Sequence, residues 1–158
     1  LPPSEGGVDQ NSVAEGPRRA HRDGVVISYE WRGDLADAEM LDLVQSHGGH
    51  PVAGWWPRVR EQSLGWVTAR DAGGLLVGFV NVAWDGGDHA FLLDPKTRSR
   101  FQRRGVGTAL VGHAVDRARQ AGCEWLHVDF DDHLAAFYFD ACGFRSTPAG
   151  LINLHQAE

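Results

Sequence analysis

Arg100–Leu110 reads RFQRRGVGTAL, three arginines and two glycines that run directly into an apolar helical pattern. Val106, Leu110, Val111, Ala114, Val115 and Ala118 fall on one helical face, and Gly122 marks its end. Glycines at 105 and 107 let the backbone approach an anion closely and leave the amides of Arg103–Thr108 free. The helix N-terminus adds partial positive charge, and Arg103 and Arg104 add full ones. A pyrophosphate suits such a site; a solvated arginine loop ahead of a glycine-started helix is the plainer alternative. Spacing removes two other phosphate motifs. A P-loop ends in Gly-Lys-Ser/Thr, whereas Gly107 is followed by Thr108 and Ala109. A dinucleotide fingerprint follows a strand directly, whereas the polar TRSRFQRR precedes this loop and Leu110 stands in the third glycine's place. What is left is Q-x-x-G-x-G, from Gln102 through Gly105 to Gly107.

Upstream, LGWVTARDAGGLLVGFVNVAWDGGDHAFLLD reads as three strands, Trp66–Arg70, Leu75–Trp84 and His89–Asp94, with turns at Asp71–Gly74 and Gly86–Gly87. Before them GVVISYEW alternates Val25, Ile27, Tyr29 and Trp31 as a strand does. DLADAEMLDLVQSHGG follows as a helix, capped by Asp34, striped by Leu35, Met40, Leu41 and Val44, and stopped at Gly48. HPVAGWWPRVR, with two prolines, reads as irregular chain. Downstream, EWLHVDF is a strand, DHLAAFYFDACG a short helix closed by Gly143, and AGLINLH a last strand. Antiparallel strands first and helical crossovers later predict an α+β fold: a mixed sheet with helices on its faces. Residues 1–22, rich in Pro, Gly, Ser and charge, read as a mobile tail, leaving one domain over 23–158.

Composition narrows the partners. A net charge of −6 offers no basic field for nucleic acid. No run of about 18 apolar residues suggests a membrane span. Cys123 and Cys142 lack metal-site spacing and read as reduced thiols, and no apolar signal region precedes the domain, so the expectation is a cytoplasmic protein.

The loop and the downstream VDFDDHLAAFYFDACGF together resemble the GNAT N-acetyltransferase superfamily. Its acetyl-CoA pyrophosphate loop has the pattern Q/R-x-x-G-x-G/A after the fourth strand. Its second signature, N-x-x-A-x-x-[apolar]-Y-x-x-x-G-F, is matched by Ala135, Gly143 and Phe144, and Pro95 after the fourth strand is shared too. The resemblance covers roughly Val25 to Leu154. It implies a mostly antiparallel sheet splayed between its fourth and fifth strands, and an acetyl-CoA-dependent N-acetyltransferase. Gln102, Arg103, Arg104, Gly105, Val106, Gly107 and Thr108 would then hold the cofactor's pyrophosphate. Leu92 or Leu93 would offer a backbone amide to the thioester, with Asp132 and Phe139 also on the cofactor side.

Three departures qualify the match. KTRSRF lengthens the entry between Pro95 and Gln102, with Arg98 and Arg100 either near the phosphates or in water. Asp132 stands where the family often has Asn. The family's tyrosine, the acid for the departing thiolate, falls on Phe139, one residue after Tyr138. One residue turns a helical side chain by about 100°. Either a local bulge brings Tyr138 back, or this acid is missing.

Acetyl transfer needs a neutral amine, a polarised carbonyl and a proton for the thiolate. His89, on the same strand face as Leu93, is the candidate base, and an exposed turn histidine is its plainer reading. Glu30, Asp129 and His127 are further candidates, the two carboxylates also for the acceptor site. The resemblance places the acceptor against the first helix and the irregular segment, where Trp55 and Trp56 would be walls, with His47 and His50 nearby and no metal set among them. A small or amino-acid-like amine is the expected acceptor. Protein lysine or N-terminal acetylation and a non-catalytic acyl-CoA-binding module are the alternatives. A homodimer is a family expectation.

Overall fold

In the computed structural model the described residues are 18–22 and 24–155, with side chains from 24 onward. Alternation in Val25–Trp31 buries Ile27 and Tyr29 while Glu30 stays exposed, which makes the segment a strand with one face on a core. It is β2 of a six-stranded sheet comprising β1 (Arg18–Arg22), β2 (Val25–Trp31), β3 (Ser63–Arg70), β4 (Leu76–Trp84), β5 (His89–Thr97) and β6 (Trp125–His127). Spatial order follows chain order; every neighbouring pair is antiparallel except β5–β6, which is parallel. Helices are α1 (Asp37–Ser46), α2 (Trp55–Arg60) and α3 (Val106–Gln120).

The sheet separates two apolar layers. On one face α3 lays Val106, Leu110, Val111, Ala114 and Ala118 over Val67, Ala69, Val80, Val82 and Leu92. On the other, Met40 and Leu43 of α1 and Trp56 of α2 pack with Leu35, Leu76 and Phe79. β3 and β4, covered on both faces, are therefore almost continuously buried. Gly78 allows α3 this close approach. A Cβ there would lie 2.8 Å from Leu110 Cδ1, 3.1 Å from Val106 Cγ1 and 3.3 Å from Ala69 Cβ. Gly78→Ala is expected to destabilise the chain by about 1–3 kcal/mol through overpacking, read as a lowered urea midpoint at unchanged slope.

Several expectations need correction. Arg18–Arg22 is a strand paired with β2, so the chain enters the sheet before residue 23; residues 1–17 of the expected tail lie outside the described residues. The splay expected between the fourth and fifth strands is present, and counting the added strand numbers that pair β5 and β6. The segment read as irregular forms α2, because Pro57 sits in a first turn, where a missing N–H costs nothing. Asp34 does not cap α1. The N-cap is Ala36, whose amide donates to Glu39 Oε2 at 3.0 Å, and Arg70 holds Glu39 and the Asp34 carbonyl. The last strand at Ala149–His155 is absent: Leu151, Ile152 and Leu154 are 80–88% exposed. A strand exists only where an edge pairs with it, and β6 offers three residues before its chain diverges.

Candidate functional site

β5 and β6 share three rungs, His89 with Trp125, Ala90 with Leu126 and Phe91 with His127, and then part. β5 continues to Thr97 while Val128–Phe130 leaves the sheet, so beyond Phe91 the backbone of β5 faces a gap. Successive residues of a strand aim their amides at opposite neighbours, so one of Leu92 and Leu93 offers its N–H to that gap. A bulge follows. Asn81 pairs with Leu93 but Phe79 with Lys96, leaving Asp94 and Pro95 opposite Val80, and Asp94 adopts a left-handed φ of 53°.

At the far end of β5 the chain makes a 3₁₀ turn, Ser99–Phe101, which buries Phe101 and accommodates the long entry KTRSRF. Arg98 is not a phosphate ligand in waiting: its guanidinium holds the Asp42 carboxylate and the Leu76 carbonyl, tying the loop to α1. Arg100 and Arg104 lie over the Phe101 ring, 5.1 and 5.9 Å from its centroid. Gln102 Nε2 donates to the Thr97 carbonyl at 3.2 Å, which closes the turn from inside. Arg103 at φ 58° and Gly105 at φ 81° then bend the backbone into α3. The first turn of a helix has no internal acceptors for its N–H groups. Among the described residues, no amide from Arg103 to Thr108 donates to a backbone carbonyl beyond α3. Gly107 sits in this turn with Phe137 beside it; a Cβ would meet the ring at 3.3 Å.

Phe137 belongs to the short helix of the second motif, which is a 3₁₀ turn at Asp132–Leu134 followed by a π-helix at Ala136–Ala141. The π-helix bears on the tyrosine register. A helix closed by a left-handed glycine ordinarily returns the amide after the glycine to a carbonyl five residues back. Here Gly143 has φ 79°, and Phe144 N–H reaches six residues back, to the Tyr138 carbonyl at 3.0 Å. The wider turn takes up one residue, so the carbonyl that meets the Phe144 amide belongs to Tyr138 rather than to Phe139. Its ring is 2% exposed, stacked 4.5 Å from Phe130 and edged by Phe137 and Phe144. Burial, with the nearby Cys142 and Asp129, pushes its hydroxyl above the usual tyrosine range. That hydroxyl has no hydrogen-bond partner among the described residues.

On the opposite face of the sheet the bulge borders a cleft of about 180 Å³ lined by Met40, Leu41, Val44, His50, Pro51, Val52, Trp55, Asp94 and Lys96. Lys96 Nζ lies 5.7 Å from the Trp55 ring centroid and 3.5 Å from the Asp94 carboxylate. Partial burial, with Lys96 and Arg98 close by, pushes His47 below the ordinary histidine value. Asn81, 1% exposed and paired with Leu93, has an Oδ1 without a partner among the described residues.

The sequence profile of the acetyltransferase (GNAT) family matches residues 18–144. The chain belongs to this family. As a GNAT acetyltransferase it draws on acetyl-CoA, and the parted strands, the free amides and the side-chain-free position at Gly107 fit that cofactor. No curated protein matches the chain in sequence. Among solved structures, a GNAT family acetyltransferase of Streptococcus pneumoniae superposes with TM-score 0.67 at 19% identity, over 82% of this chain and 99% of its own. An aminoglycoside N-acetyltransferase in complex with CoA superposes at 0.65 and 18%, over 92% of this chain and 99% of its own. Glucosamine-6-phosphate N-acetyltransferase of Arabidopsis thaliana does so at 0.63 and 16%, over 81% and 99%.

In this acetyltransferase the expected site residues divide. Leu92 and Leu93 stand mid-strand in β5, Gln102–Thr108 follows its far end, and the Tyr138 helix lies against the loop through Phe137. Phe139 turns toward Phe130 at 5.3 Å, and Asp132 is exposed in the 3₁₀ turn. Trp55 lines the cleft, but Trp56 does not. It is 1% exposed, its Nε1 donates to the Leu35 carbonyl, and its ring packs on Trp66 and Phe79, so it is core. Glu30 and Asp129 do not line the cleft either. Glu30 lies three strands from β5, about 14 Å away. Asp129 follows β6, near enough to Tyr138 to oppose its ionisation. Asp94, Lys96 and Asn81 were missed. Asp before Pro signals a break in a strand, but only pairing with β4 shows that the break is a bulge beside the gap.

Proposed function

We propose that this acetyltransferase moves the acetyl group of acetyl-CoA directly to the primary amine of a small molecule with an apolar body. The cleft beside the β5 bulge carries this reading. Its volume, about 180 Å³, is below the usual range for drug-sized ligands, and its walls are mainly aliphatic and aromatic. Trp55 supplies a face for an apolar or cationic group, and Asp94 supplies the one carboxylate of the lining. Arg103, Arg104 and the amides up to Thr108 hold the pyrophosphate. The amide from Leu92 or Leu93 polarises the thioester carbonyl, and Tyr138 protonates the leaving thiolate.

The test is thiol release from acetyl-CoA across small alkyl and aryl amines, amino acids, and lysine-bearing and free-N-terminal peptides. Small amines are expected to react best. Trp55→Ala should raise their KM about tenfold or more while kcat changes little, the signature of lost uniform binding. Peptides turned over as well as small amines would transfer the reading to protein acetylation. CoA binding with no turnover on any amine would leave only an acyl-CoA-binding module.

A further inference from the structure

The three rungs of β5 and β6 bring together two histidines from different strands, His89 on the first rung and His127 on the last. His89 opens β5 and His127 ends β6, and both are exposed. His89 Nδ1 lies 2.8 Å from His127 Nε2, with the rings 5.0 Å apart and inclined by 33°. Phe91 stacks on His127 at 4.9 Å and 18°, fixing its plane. His89, Phe91 and Leu93 alternate onto one exposed face, the face that carries α1, α2 and the cleft. His127 joins them by pairing with Phe91, on the rung where the strands part.

Two ring nitrogens at this distance require one donor and one acceptor, so the pair shares a proton and cannot keep this bond with both rings charged. The charged groups around it are Asp85, which accepts the His89 backbone amide, Asp88 and Glu124 at the strand starts, and Arg145 over the Trp125 ring.

Resting on the transferase reading, we propose that His127, positioned by His89, takes the proton from the acceptor's ammonium and that the pair passes it to solvent. One proton leaves the ammonium for His127 Nδ1. His127 Nε2–H gives its proton to His89 Nδ1, and His89 Nε2–H gives one to water. One neutral amine and one hydronium result, with both imidazoles neutral in the alternate tautomer. The released lone pair is then the nucleophile toward the thioester.

The experiment compares kcat/KM against pH for the full chain, His127→Gln, His89→Gln and the double variant, on the best amine of the panel. Calorimetry with CoA and ¹⁵N-imidazole titration by NMR accompany it. Wild type should show an acid limb in the histidine range. His127→Gln should lose that limb and fall about 100-fold at neutral pH, then recover toward wild type as the amine deprotonates in solution. His89→Gln should fall less, the double variant no further than His127→Gln, and CoA affinity should stay within twofold throughout. In the NMR titration the two rings should protonate in coupled steps, and each substitution should move the surviving ring's midpoint. Unchanged profiles with CoA bound, or two rings titrating independently, would overturn the relay and leave the transferase standing. A wild type that turns over no amine would remove the transferase reading and the relay with it.

Discussion

Gly107→Glu is expected to weaken CoA binding by at least 100-fold, about 2.7 kcal/mol. Two effects of the substitution add. Its Cβ would come within 3.3 Å of Phe137 Cζ and 3.4 Å of Cε2, so the ring or the first turn of α3 must shift. Its carboxylate would then stand where the free amides of the loop converge and the helix end favours an anion, replacing attraction with repulsion. Arg103→Ala, which removes one exposed charge and no backbone donor, should cost about tenfold or less. Calorimetry with CoA measures both, and a circular dichroism melt confirms that the variants are folded. Equal affinities for Gly107→Glu and wild type would dissociate the loop from the cofactor.

Tyr138→Phe should lower kcat about 100-fold or more at neutral pH, with CoA affinity unchanged, because a positioned proton donor contributes at least that factor. The register motivates this prediction: Phe144 N–H closes on the carbonyl of Tyr138 rather than on that of Phe139. Burial first, then Cys142 and Asp129, disfavour the phenolate, so the hydroxyl is still protonated at its ordinary midpoint of 10.0 and wild-type kcat should not fall below that pH on its account. An unchanged kcat in Tyr138→Phe would remove Tyr138 as the acid. The raised value also sets alkaline stability. Tyr29 and Tyr138 both ionise less readily folded than unfolded. Their contribution is therefore complete below about pH 10 and falls as pH rises, since the unfolded chain loses its tyrosine protons first.

The loop was legible because its chemistry is local. Gly105, Gly107 and a helix start are neighbours in sequence, and the free amides follow from backbone geometry alone. The strand alternation of Val25–Trp31 and the turn at Asp71–Gly74, where Asp71 Oδ1 accepts the Gly73 and Leu75 amides, were local as well. Trp55 and Trp56 were not separable. Adjacent residues of one short helix point to different sides, and which side is core depends on α1, Trp66 and Phe79. The same holds for AGLINLH, whose apolar alternation predicts a strand that the edge of β6 does not pair.

Read alone, the residues determined a mixed sheet with helices on both faces and an anion-binding helix start. With the second motif they pointed to the family, since each of these features is set by contacts within a few residues. Tertiary structure decided the rest: the π-turn that closes on the Tyr138 carbonyl, the bulge at Asp94, the cleft under Trp55 and the meeting of His89 with His127. Each depends on which strand or helix lies across from a residue, and burial and pairing across the sheet are nowhere written in local spacing.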